Sequence, residues 1–261
     1  MSFLQHLEAL RWHLVRSVAV ITILAIVAFC YIDTLTDYVL LAPTTPRFLT
    51  YRALCHIGLM LHRGDEFCIN HIPIKIINTE VAGQFNIAMW IAFVGALIIA
   101  FPYLIWELWR FVKPALQEKE KKYARGIVFY TSFLFLSGVS FGYFVITPMS
   151  INFLTNFQVS VLVENFITLD SVISIVTTLT LVTGLVFELP VVIYFLTKVG
   201  IITPSFMRKY RRHAVVVILI IAAVITPTSD ATTMIFVSIP LYFLYEISIF
   251  VSAKVLREGK G

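Results

Sequence analysis

Glu188 is an acid in an apolar setting. It separates two uncharged stretches, Ser171–Phe187 of 17 residues and Leu189–Thr197 of 9. A carboxylate near the centre of a membrane-length helix costs on the order of a few kcal/mol on insertion scales, so its presence needs a reason. Pro190, two residues on, frees a backbone carbonyl and permits a kink beside the acid. In one reading Glu188 is protonated, or bonded to Thr183 or a neighbouring helix, and anchors packing. In the other it lines a polar cavity or receives a polar group from a partner helix. Intramembrane acids are functional by default, which favours the second reading.

Two further groups of residues carry chemical potential. Trp106, Glu107, Trp109, Arg110, Phe111, Lys113 and Pro114 lead into Glu118 and Glu120, which lie among Lys119, Lys121 and Lys122. The tryptophans fit an interfacial belt, and on composition alone the rest is a solvated basic loop. Cys55 and Cys68 share a second segment with His56, His62 and His71. In an oxidising compartment the two cysteines would permit a disulfide. Free thiols remain open, and the spacing matches no common zinc pattern. Cys30 reads as packing. The sequence holds no P-loop, glycine-rich dinucleotide turn, His-Glu-x-x-His or nucleophile–base motif, so it predicts no enzyme, cofactor or metal.

The elements that must position these residues follow from composition. Of 261 residues, 59% are hydrophobic and 13% charged, about half the charge of a soluble domain. That excludes disorder and an ordinary water-soluble enzyme, and leaves an all-α membrane protein. Stretches without Asp, Glu, Lys or Arg predict six spans, near 15–32, 83–106, 126–147, 171–197, 213–228 and 232–250, in one integral domain over 1–261. Thr147-Pro148 is expected to end the third. The last two spans rest on uncharged runs of 17 and 15 residues. Each makes about 24 Å of helix against a hydrocarbon core of about 30 Å. The outer loop 33–80, with Pro43, Pro46 and Pro73, predicts short helices or a cap.

Basic residues set the orientation. Sixteen of the 20 Lys and Arg fall on the side of the N-terminus, and cytoplasmic loops carry such an excess. Both termini are therefore expected inside, with the first span a retained anchor. The net charge of +5 then reflects topology and calls for no nucleic acid.

Motif order carries a resemblance. His6-Leu7-Glu8-Ala9-Leu10-Arg11, then Trp109 to Leu116 with Glu120, then Val186-Phe187-Glu188-Leu189-Pro190 follow one another. Gly200 to Pro204, Arg208 to Arg212, Thr226-Pro227 with Asp230, Pro240-Leu241-Tyr242 and Tyr245-Glu246 complete the series. Together they resemble TatC, the receptor subunit of the twin-arginine protein translocase, over nearly the whole chain. The resemblance implies a glove-shaped, concave bundle in the bacterial inner membrane, with two short final helices. It implies a receptor that binds twin-arginine signal peptides of folded cargo and organises the export complex. Glu8, Arg11, Phe111 and Glu120 would form the signal-peptide site, and Glu188 would face the cavity. Single-span TatA- and TatB-type partners would dock along the edge with Pro227, Asp230, Pro240 and Glu246, in a homo-oligomeric receptor complex. Two guanidinium groups call for carboxylates able to take paired bonds.

One slot departs from the family pattern. The N-terminal motif places a glutamate where this chain has Ala9. Glu8 is adjacent, but one residue is about 100° of helix rotation. The rival function is a proton-coupled small-solute transporter using Glu188 as proton carrier.

Overall fold

Without water to satisfy them, backbone amides of the uncharged runs must bond within their own segments, and each run becomes a helix. A computed structural model describes residues 3–60, 75–112, 124–158, 160, 166–226 and 231–258. Its main helices are α1 (Phe3–Cys30), α2 (Leu49–Met60), α3 (Gly83–Val112), α4 (Ala124–Phe141), α5 (Thr147–Asn156), α6 (Leu169–Val186), α7 (Leu189–Lys198), α8 (Pro204–Lys209), α9 (Arg211–Ile225) and α10 (Ala231–Glu258). Among the described residues, five segments are long and apolar enough to cross a membrane: Glu8–Cys30, Gly83–Phe111, Gly126–Asn156, Leu169–Lys198 and Val237–Leu256. The protein is thus a multi-pass, all-α membrane protein. Helix α9 is apolar as well, but its 15 residues reach only about 22 Å.

Helix contacts form a row. α1 packs chiefly on α3, α3 touches α4 and α6, and α4 packs on α6. α7 continues to α10, which pairs with α9. The α9–α10 pair closes on α6 through a core holding Leu179, Phe187, Ile218, Ala222, Val237 and Leu241. α1 stands at one end with Leu14, Val18, Ile23 and Ile26 exposed, as expected of a lipid-facing surface.

The α4–α6 contact depends on small residues. A Cβ added at Gly138 would stand 2.7 Å from the Phe187 Cβ, and one at Gly184 would stand 2.8 Å from Val139. Gly142, four residues after Gly138, lies as close to the α6 backbone. Small residues at this spacing let membrane helices approach closely.

One break differs from expectation and the other agrees with it. Thr147-Pro148 does not end the third span. A π-helical segment, Gly142–Ile146, precedes it, and Pro148 sits in the first turn of α5, where its missing N–H removes little bonding. The fourth span is interrupted at Phe187 and Glu188, between α6 and α7. Pro190 lies in the first turn of α7. The final helix runs well past its uncharged stretch, to Glu258.

Across the bundle from the N-terminus, strands Ile76–Ile77 and Ile167–Thr168 pair in parallel. Nearby, α2 is fastened by Tyr51, whose buried hydroxyl lies 3.0 Å from the Pro43 carbonyl and 2.8 Å from that of Pro148. Burial raises the Tyr51 phenol well above its ordinary pKa. Thr50 donates to the Phe144 carbonyl.

Candidate functional site

The antiparallel pair α1–α3 builds the site at its N-terminal end. Residues i, i+4 and i+7 of a helix share a face, so Ala9, His13 and Arg16 line one side of α1. On α3 the same spacing aligns Glu107 with Phe111. These faces meet. Nδ1 of His13 donates to Oε1 of Glu107 at 2.9 Å, and a guanidinium nitrogen of Arg16 donates to the same oxygen at 3.2 Å. Glu107 is 1% exposed, although it stands at the rim of its span. The ring of Phe111 meets that of His13 edge-on, with centroids 5.8 Å apart.

Glu8 and Arg11 are exposed on the first turns of α1, beside the same end. The Arg11 guanidinium lies over the Trp12 ring, as that of Arg110 lies over Trp106. Such stacking orients cations at an interface. Glu8, Arg11 and Phe111 are therefore brought to one end of the molecule. Glu120 lies outside the described residues. The sequence reading missed Glu107, His13 and Arg16. Their signal was present: an acid closing a 26-residue uncharged run, and two basic residues three apart on one helix. The pairing itself spans more than ninety residues and has no local pattern.

Glu188 occupies a different place. It is the residue preceding α7, in the turn between α6 and α7. Its backbone N–H donates to Leu185, and its carbonyl accepts from Val191 and Val192. Both carboxyl oxygens are buried without a hydrogen-bond partner among the described residues. The side chain comes near the Phe135 backbone of α4 without reaching bonding geometry. Thr131, Ser132, Thr180 and Thr183 likewise hold buried hydroxyls without partners. Polar atoms on α4 and α6 are thus left unsatisfied among the described residues.

The remaining candidates lie on α9 and α10 or outside the described residues. A guanidinium nitrogen of Arg211 donates to Oε2 of Glu246 at 2.7 Å, and the Tyr242 hydroxyl donates to Oε1 at 3.1 Å. Pro240 sits within α10. Pro227, Asp230 and Cys68 are outside the described residues. Cys30 is a free thiol and Cys55 is disulfide-bonded. No group of three or more metal-ligating side chains occurs among the described residues.

The family model described as Sec-independent protein translocase protein (TatC) matches residues 5–240. A protein of that name from Blattabacterium sp. subsp. Periplaneta americana is 40% identical over 260 residues, covering 99% of this chain and 97% of its own. Its namesake from Carboxydothermus hydrogenoformans is 32% identical over 252 residues, covering 97% and 93%. A crystal structure titled Twin Arginine Translocase Receptor TatC aligns with a TM-score of 0.66 and 28% identity, over 96% of this chain and 99% of that one. These matches lend no support to the small-solute transporter considered for Glu188. With helices and motifs matched almost from end to end, the chain belongs to the TatC family of Sec-independent protein translocase proteins.

Proposed function

We propose that this chain is the membrane receptor core of a twin-arginine translocase. It binds the twin-arginine signal peptides of folded proteins at the N-terminal end of α1–α3 and acts by binding rather than catalysis. The observation that carries the reading is the convergence of Glu8, Arg11 and Phe111 on one end, at the mouth of the 113–123 segment that contains Glu120. The exposed Glu8 there suits a guanidinium group, and Phe111 offers an apolar surface to the peptide beside it.

The basic-residue asymmetry supports a cytoplasmic position for this end, in a bacterial inner-membrane protein. Both termini are then inside, with α9 as the sixth and shortest crossing. A 15-residue span requires local thinning or a covering partner. TatA- and TatB-type single-span subunits dock on that side, along α9–α10 with Pro240 and Glu246 and the connecting segment with Pro227 and Asp230. A polar group on such a helix would satisfy Glu188, and copies of the chain assemble in the receptor complex. On the outer side, Cys55 pairs with Cys68.

Photocrosslinking tests the site. A probe at position 110 should capture a twin-arginine peptide, and a probe on the outer helix, at Leu59, should not. Equal capture at both positions would refute this placement.

A further inference from the structure

Glu107 has acceptor capacity that the described residues do not use. Oε1 takes both internal bonds, while Oε2 is buried without a hydrogen-bond partner among the described residues. A carboxylate offers about four acceptor sites, and leaving one oxygen dry and unbonded is costly. The carboxylate is nonetheless reachable from the surface. The Arg16 side chain is 45% exposed while its guanidinium touches a group only 1% exposed. A guanidinium therefore already enters this pocket from outside.

We propose that Glu107 receives one guanidinium of a twin-arginine signal peptide, and that Arg16 is its internal stand-in, withdrawn when the peptide arginine arrives. The inference rests on the signal-peptide reading above and names a ligand within that site. Three features support it. Phe111 is one turn further along the face that carries Glu107, so a peptide against Phe111 lies within a helical turn of the carboxylate. The α1 face opposite holds Ala9 and no acid, so the anion for this pocket comes from α3. Exchange of one guanidinium for another keeps the pocket's charge constant, and the displaced Arg16 already has a route to water. A peptide arginine that engaged both Oε1 and Oε2 would gain the paired geometry that Arg16, bonded to Oε1 alone, lacks.

The test is the affinity of labelled twin-arginine and twin-lysine peptides for the full chain in lipid nanodiscs, with thermal unfolding followed in parallel. Glu107→Gln should weaken twin-arginine binding at least about tenfold, the loss expected for a charge-assisted bond made neutral. It should also narrow the preference over lysine. Arg16→Gln should tighten binding about threefold, because the internal competitor is gone. If Glu107 only fastens α1 to α3, both substitutions loosen the same contact and weaken binding together, which overturns the proposal. Full affinity in Glu107→Gln overturns it while leaving the receptor reading intact. An unaltered chain that does not prefer arginine overturns the receptor reading, and the proposal with it. Should Glu107→Gln not fold, Arg16→Gln decides: tighter binding supports the displacement, and unchanged or weaker binding refutes it.

Discussion

Glu107 and Glu188 are carboxyl groups withdrawn from water in the same chain, yet among the described residues only Glu107 meets cations. His13 and Arg16 hold one of its oxygens, so it is a formed ionic contact joining two helices. Glu188 sits in a helix break with both oxygens unbonded among the described residues, so there its carboxyl adds no hydrogen bond to the fold. The difference separates two uses of a costly group. A buried acid with partners contributes to holding the helices in place and can exchange those partners. A buried acid without them makes sense when another chain brings the partner.

Stability breaks the comparison most sharply. Glu107→Leu leaves a partly buried histidine and a half-exposed arginine without their anion. It should lower unfolding stability by about 1.5–3 kcal/mol, the range for hydrogen bonds to charged groups. Glu188→Leu removes a buried polar group without a hydrogen-bond partner among the described residues, and should leave the melting temperature unchanged or raised. Thermal unfolding in one detergent measures both, and the account requires opposite signs or a clear gap.

Export activity sharpens the same contrast from the functional side. Glu188→Leu should insert normally yet lose most cargo export, to about a tenth or less, because the arriving polar group finds no partner. Glu188→Gln should keep much of the activity, since an amide still donates and accepts. The two variants being equally inactive at matched membrane levels would favour proton transfer over assembly.

Smaller effects probe the Glu107 end alone. Phe111→Ala deletes the edge-on contact with His13 and part of the peptide surface. Aromatic pairs contribute about 0.5–1.5 kcal/mol, so peptide affinity should fall about two- to tenfold. Ala9→Glu adds an acid one turn before His13, on the same face of α1. It should tighten twin-arginine binding about two- to fivefold, in keeping with an exposed charge pair worth about 0.2–1 kcal/mol. A glutamate moved to an unrelated cytoplasmic position and giving the same gain would mean general electrostatics.

Much of this was legible in the sequence because the bilayer enforces simple rules. Uncharged length marked the helices, and Glu188 was visible as an acid within such a run. Pro148 misled because it was read as a stop. The π-helical segment before it places the proline in the first turn of the next helix, where its missing N–H removes little bonding. Glu107 was hidden by its neighbours: next to Arg110 and the lysines it looked like part of a solvated loop. Only the pairing of α1 with α3 shows it to be buried. The glycine contacts at Gly138 and Gly184 were hidden in the same way, since close approach belongs to two helices and is written in neither alone. The Ala9 departure was visible, but an acid to compensate for it lay about a hundred residues away.

The receptor claim is tested most directly by equilibrium binding of a twin-arginine signal peptide to the purified, unaltered chain in nanodiscs, against the same peptide with both arginines changed to lysine. Arginine's paired, charge-assisted bonds predict a preference of at least about tenfold for the twin-arginine form. Equal affinity for the two peptides would contradict the account.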